Sequence, residues 1–292
     1  MKFAFIAAHL AAFPVEVCCA VLQVSRSGFY AWRGRPQSAR ARRRQALAAR
    51  IRAVHAENRQ VYGSPRVCRA LRAGGGGGGG GEAACENTVA KVMRRHGIRA
   101  KTKKKFVPRT TDSVHQQPVA DNLLDRQFAA ALPDEKWAVD ITYIPTAEGW
   151  LYLAGVIDLC SRRIVGWSMA DHMKVELVSD ALSMALARRR PGDGLLHHSD
   201  RGVQYASDDY RHLLRTHAME ASMSGRGDCW DNAVMESFWA TLKTELVNHE
   251  RYATRERARA SIFEYIEVFY NRKRLHSSLG YLSPEAFEAS LN

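Results

Sequence analysis

The spacing of apolar positions changes character part-way along the chain. Ahead of residue 133 apolar residues recur three and four apart; beyond it, two-residue alternation and β-branched runs appear. Residues 14–33, PVEVCCAVLQVSRSGFYAWR, read as helix, short turn, helix. Val17, Cys18 and Val21 supply one apolar face, Ser25 is placed as an N-cap, and Phe29 and Trp32 lie three apart on the second helix. Residues 45–57 form an amphipathic helix through Leu47, Ile51 and Val54. YGSPRVCRALR (62–72) opens with Ser64 as cap and Pro65 at the first helical position. ENTVAKVMRRHG makes a third helix, with Asn87 as cap and Gly97 as stop. The run Gly74–Gly81 interrupts this cluster; glycines offer nothing to pack and keep maximal backbone freedom, so it reads as a flexible surface linker.

From residue 137 the pattern is that of strands. WAVDITYIPT (137–146) alternates and is β-branched, and WLYLAGVIDLCS (150–161) and RRIVGWSMAD (162–171) follow at hairpin spacing. A helix over 174–190 carries Leu177, Ala181, Leu182, Ala185 and Leu186 on one face. Then come a strand at 194–200, a helix near 207–217, a short strand at 219–224, a helix from about 231 to 247 and a final helix at 254–271. Three antiparallel strands, then helix, strand, helix, strand, helix, is the element order of an α/β, ribonuclease-H-like fold: a mixed sheet flanked by helices.

Charge divides the chain in the same way. Residues 1–110 hold 23 Lys and Arg against 4 Asp and Glu, a net of +19, while the remaining 182 hold 20 against 26, within a total of +13. A strongly basic front joined to a mildly acidic back suggests a polyanion-binding module attached to something else. The helical pair at 14–33 resembles a helix-turn-helix whose second helix enters a major groove. Arg42, Arg43, Arg44, Arg66, Arg94, Arg95 and the linker residues Lys103, Lys104 and Lys105 are candidate DNA contacts. Arg272, Lys273 and Arg274, beside His276, read either as phosphate contacts or as a solvated tail.

No apolar run approaches the ~20 residues that span a bilayer. The apolar N-terminus raises the question of a signal peptide, but a helical pattern continues through Val24, so a cytoplasmic, nucleoid-associated protein without membrane partners is expected. Six cysteines include no CxxC pair and match no common zinc spacing; reduced structural thiols are the simpler reading.

The candidate chemistry lies in the strand-bearing part. Asp140 sits mid-strand between Val139 and Ile141, where a lone buried carboxylate is costly and no structural need calls for one. Asp200 ends a strand in HHSDRGVQY, and Glu236 follows after 35 intervening residues, on a helix in DNAVMESFWATLK. Three carboxylates converging from separate elements can hold two Mg²⁺ ions, with Mn²⁺ as a substitute, and such a pair serves in-line phosphoryl displacement. Lys243 lies two helical turns beyond Glu236, on nearly the same face. Asp158 is read as a turn residue, and His197 and His198 either orient the site or pack the strand end. Asp231 is read as an N-cap, and Trp230 either packs the loop or stacks on a base.

WAVDITYI, HHSDRGVQY, SGRGDCWDNAVMESFWATLKTE and YNRKRLHSSLGYLSPEAF together resemble the integrase-core transposases of the insertion-sequence-three family, in particular their second-reading-frame (OrfB) protein. YGSPRVCRALR and NTVAKVMRRHGIRAK are similar to that family's helical domain, so the resemblance covers essentially the whole chain. It implies a DNA transposase that cleaves at element ends, frees a 3′-OH and transfers the strand to target DNA. Asp140, Asp200 and Glu236 become a DDE triad, with Asp140 bridging both metals, Asp200 and Glu236 holding one each, and Lys243 steadying DNA.

The expected organisation is a helix-turn-helix-like segment (1–36), a helical DNA-binding domain (37–100), a basic and polar linker (101–132), the ribonuclease-H-like catalytic core (133–250) and a C-terminal helix with a basic tail (251–292). Chemistry at two element ends implies a homo-oligomer on double-stranded DNA. The chain departs from the family in its polyglycine and in lacking a long leucine-repeat segment, so an upstream-frame partner protein or fusion is a further expected partner. The rival readings are a non-catalytic DNA-binding regulator and a nuclease without strand transfer.

Overall fold

A computed structural model describes residues 1–74, 84–102, 119–225 and 229–291, with Cys229 and Trp230 described by their backbone alone. Lys103, Lys104, Lys105, Gly75–Gly81 and the Trp230 side chain therefore lie outside the described residues. The chain forms two compact units, Met1–Ala53 and Val54–Asn292.

In the first unit, α1 (Lys2–Ala8), α2 (Val15–Val21) and α3 (Arg26–Arg33) close on Ile6, Cys18, Cys19 and Phe29. The Ser25 hydroxyl accepts the Gly28 N–H at 3.0 Å, so the cap stands where the sequence puts it. The apolar face of α2 is different from the expected one: Cys18 and Cys19 are buried, whereas Val17 and Val21 are exposed. The reason is α1, whose Ile6 packs from a side that the two-helix reading did not include. Along α4 (Ala39–Glu57), Arg42, Arg43 and Arg44 are all exposed.

In the second unit, α5 (Ser64–Ala73) and α6 (Glu86–Arg95) bury Val67, Cys68, Val89 and Met93. Their caps correct the sequence reading by one or two residues: the N-cap positions are Gly63 and Cys85, not Ser64 and Asn87, and neither provides a side-chain capping bond. Ser64 is already helical, which leaves Pro65 in the first turn, where its missing N–H costs nothing.

Five strands then build one sheet. β1 (Lys136–Thr146), β2 (Gly149–Asp158) and β3 (Ile164–Ala170) form an antiparallel meander, and β4 (Leu196–Ser199) and β5 (Glu220–Met223) extend it in parallel, giving the order β3-β2-β1-β4-β5. The strands' two-residue period sorts β1 into two faces. Trp137, Val139 and Ile141 join Ala154, Val156 and Val165 against Leu177, Val178, Ala181, Leu182 and Ala185 of α7 (Val175–Arg189). The contact is close: a Cβ at Gly166 of β3 would lie 2.2 Å from the Ala181 carbonyl oxygen. α8 (Val203–Ala206) and α9 (Asp208–Thr216) complete this side with Tyr205, Ala206, Tyr210 and Leu214. Asp140 belongs to the opposite face, which α10 (Ala233–Glu245) covers.

The expected final helix is split. α11 (Arg255–Phe263) passes into a π-helical stretch, Glu264–Tyr270, that buries Tyr265, Ile266, Phe269 and Tyr270. Asn271 then clamps the sheet edge, its amide exchanging two 2.9 Å hydrogen bonds with the backbone of Ile164 in β3. α12 (Pro284–Ala289), capped by Ser283, ends the fold. No described helix is long and apolar enough to cross a membrane.

Candidate active site

Asp140 lies directly across the β1–β2 ladder from Gly155. A Cβ at Gly155 would come within 2.9 Å of the Trp239 ring, so only glycine leaves room for the indole to lie over β2. From there Trp239 Nε1 donates to Asp140 Oδ2 at 3.0 Å, and the Ile141 N–H donates to Oδ1 at 2.8 Å. The start of α10 is tied to the same strand, because Asn232 Nδ2 donates to the Val139 carbonyl at 2.9 Å. One short pairing of strand and helix thus fixes both the position and the orientation of the carboxylate.

Asp200 follows β4, and its Oδ1 accepts the Gly202 N–H at 2.9 Å. Glu236 stands in the first turn of α10 with an exposed side chain. Asp140 keeps some solvent access but is otherwise walled in by protein. Burial, then the negative charge of Asp200 and the weaker opposition of Glu236, push its carboxyl up to about 8, against the pull of the Ile141 and Trp239 hydrogen bonds. Burial also raises Glu236. Lys243 sits 4.8 Å above the Tyr143 ring; burial lowers its ammonium while Asp140 favours its charge. The Tyr205 hydroxyl is buried without a hydrogen-bond partner, and its phenol is held protonated by burial, Asp140 and Asp200.

Asp140 therefore feels the charge of both other acids singled out from the sequence, Asp200 more than Glu236. The three are not a closed cage: among the described residues, no set of three or more His, Cys, Asp or Glu side chains is arranged to hold a metal ion. The donor chemistry, all carboxylate oxygen with no sulfur or imidazole, is that of a hard divalent cation.

The neighbouring candidates resolve differently. His197 bonds the Tyr210 hydroxyl at 2.9 Å, and His198 lies between the hydroxyls of Ser222 (2.9 Å) and Ser224 (3.2 Å). Burial pushes them down to about 3 and about 4, so both are neutral packing groups that join β4 to its surroundings. Asp158 is fully buried and accepts from the Asp134 N–H and from the Ser161 N–H and hydroxyl, as a turn residue should. Asp231 is not the cap of α10. A 3-10 turn over Cys229–Asn232 moves the cap position to Asn232 and turns Asp231 back to accept from Asn122, Gly225 and Arg126.

Of the candidate DNA contacts, Arg42, Arg43, Arg44, Arg94, Arg95 and Lys273 are exposed. Arg272 is exposed with Glu285 3.7 Å away, and Arg66 is half-buried, 3.6 Å from Glu245. Arg274 corrects the picture of a solvated tail: it is 5% exposed, and its Nε and Nη2 clamp Glu245 at 2.7–3.1 Å. Sequence reasoning missed Trp239, Gly155 and Asn232. Only the glycine in an otherwise bulky strand carries a local signal.

Comparison with known proteins agrees with this architecture. A family model described as "Integrase core domain" matches residues 130–229, a second of the same description matches 217–284, and an "HTH-like domain" model matches 42–106. "Transposase InsF for insertion sequence IS3A" of Escherichia coli (strain K12) is 46% identical over 290 residues, 99% of this chain and 98% of that protein. "Insertion element IS600 uncharacterized 31 kDa protein" of Shigella sonnei is 44% identical over 269 residues, 92% and 96% of the two chains. Among solved structures the likeness is distant. A chain of the simian T-cell lymphotropic virus intasome has a TM-score of 0.46 at 15% identity, covering 75% of this chain and 69% of that one. The HTLV-2 integrase catalytic core domain in complex with magnesium (dimeric form) has a TM-score of 0.41 at 13% identity, covering 54% and 98%. With more than two-fifths of its residues identical to a curated transposase along nearly the full length of both, this chain belongs to the IS3 family of insertion-sequence transposases.

Proposed function

We propose that the chain performs divalent-metal-dependent cleavage at the ends of an insertion element and joins the freed 3′-OH to target DNA. The observation that supports this most is Asp140, a carboxylate fixed by two hydrogen bonds and opposed by two further carboxylates. In its charged form a group so placed is unbalanced until a cation shares the site. Asp140, Asp200 and Glu236 would hold Mg²⁺, or Mn²⁺ in its place, and the bound metal supplies charge stabilisation at the reacting phosphate.

The chain's own residues then have distinct tasks. Trp239 and the Ile141 N–H orient Asp140, the Gly202 N–H orients Asp200, and Lys243 neutralises a phosphate beside them. Arg42, Arg43, Arg44, Arg94, Arg95, Arg272 and Lys273, with Lys103, Lys104 and Lys105, would supply contacts to the backbone of double-stranded DNA. Two element ends call for at least two copies on the DNA, in the compartment that holds the chromosome.

The test is a labelled duplex carrying an element end, incubated with Mg²⁺ and target DNA. The full chain should give nicked and then joined products. Asp140→Asn should still shift the duplex but cleave about 10³-fold more slowly, as befits the loss of several kcal/mol of charge stabilisation. Unimpaired cleavage by that variant overturns the assignment. A shift without cleavage by the unaltered chain marks a regulator, and cleavage without joining marks a simple nuclease.

A further inference from the structure

On the flank of α10 turned away from Glu236, Trp239 and Lys243 lies a cavity of about 340 Å³. Arg66, Arg162, Arg274 and His276 line it, and no acidic side chain does. The cations in its wall are unequally matched. Arg274 is paired with Glu245, which also takes the Tyr265 hydroxyl at 2.7 Å, and Arg66 stands 3.6 Å from that same carboxylate. One acid therefore serves two guanidinium groups.

Arg162 is left with less. Its Nη2 reaches the Phe128 carbonyl only at 3.5 Å, and its Nη1 is buried without any hydrogen-bond partner. Asp158, on the same turn, is already filled by three donors. Arg162 also holds φ +59°, a left-handed conformation that disfavours an arginine, so the turn is bent at some cost to bring it here. The guanidinium is half-buried and Asp158 favours its charge, but one N–H donor has no acceptor inside the protein, and an anion bound in the cavity would supply it. The positive field reaches His276, which burial and then Arg274, Arg66 and Arg162 push down to about 2. Ser237 and Thr241 of α10 and Ser277 and Ser278 add hydroxyl-bearing side chains to the lining.

We propose that this cavity is a phosphate-binding site, in which Arg162 and the surrounding hydroxyls hold a phosphate group against the back of α10. It does not depend on the chemistry assigned to Asp140. The phosphate is supplied either by the backbone of bound DNA or by a small phosphate compound, and the same groups recognise both.

The experiment uses the full chain, with inorganic phosphate as probe and chloride at equal ionic strength as control. Phosphate should raise the unfolding temperature of the unaltered chain and saturate. Arg162→Ala and, at the exposed rim, Ser278→Asp should each abolish the rise. Ser278→Asp keeps the test decisive if Arg162→Ala fails to fold. In a second arm, the salt dependence of binding to an element-end duplex is measured. A slope of log K against log [salt] smaller by about one in Ser278→Asp assigns the site to the DNA backbone. An unchanged slope with phosphate binding lost assigns it to a small phosphate compound. No response to phosphate beyond the chloride control, or an undiminished response in both variants, overturns the proposal.

Discussion

The two glutamates of α10 occupy opposite electrostatic worlds. Glu245, near its C-terminal end, is 6% exposed, and every neighbour favours its charge: Arg274 clamps it, Tyr265 donates to it and Arg66 stands close by. Glu236, nine residues earlier, is exposed, and its charge helps push Asp140 the wrong way for a free carboxylate. The first arrangement is complete within the protein and serves stability. The second leaves like charges facing one another, and on the proposed function a cation from outside balances them. Burial alone does not separate structural from functional acids; the sign of what surrounds them does.

The comparison breaks most severely at the satisfied end. Arg274→Ala leaves Glu245 buried without its main partner and should cost about 3–5 kcal/mol in urea unfolding, far more than replacing both residues with leucine. A loss below about 1 kcal/mol would show that the pair is not structural.

At the other end, the sign with pH is opposite to that of an ordinary paired acid. Asp140 binds its proton more tightly in the folded chain, at about 8 against an ordinary 3.8. Its contribution is therefore full below about pH 4 and is lost as pH rises toward 8. Asp140→Asn should remove this slope, worth about 2 kcal/mol after allowance for solvent and relaxation. Mg²⁺ at about pH 8 should restore stability in the unaltered chain only; equal restoration in the variant would place the metal elsewhere.

Smaller changes sharpen the contrast without altering charge. Gly155→Ala should push the Trp239 ring off β2 at a cost of about 1–2 kcal/mol and lower cleavage, with no polar atom removed. Trp239→Phe should weaken Mg²⁺ binding about tenfold by releasing one carboxylate oxygen, while thermal stability changes little. Metal titration followed by unfolding temperature reads both effects.

Periodicity, charge distribution and motif text determined much of this protein by themselves. The strand and helix order, the Ser25 cap and the turn role of Asp158 are local statements, set by spacing, capping chemistry and turn preference. The acids at 140, 200 and 236 are singled out by the motif text around them, and their catalytic role is a proposal. What tertiary structure decided is who meets whom. The Gly155–Trp239–Asp140 stack joins residues from two strands and a helix, and no local pattern states that distance. Arg274 reads as one more basic residue in a tail until the fold brings Glu245 to it from 29 positions away. Side-chain period follows from the backbone of one element, whereas burial and partnership follow from how elements pack, which is why the acids could be named in advance but their partners could not.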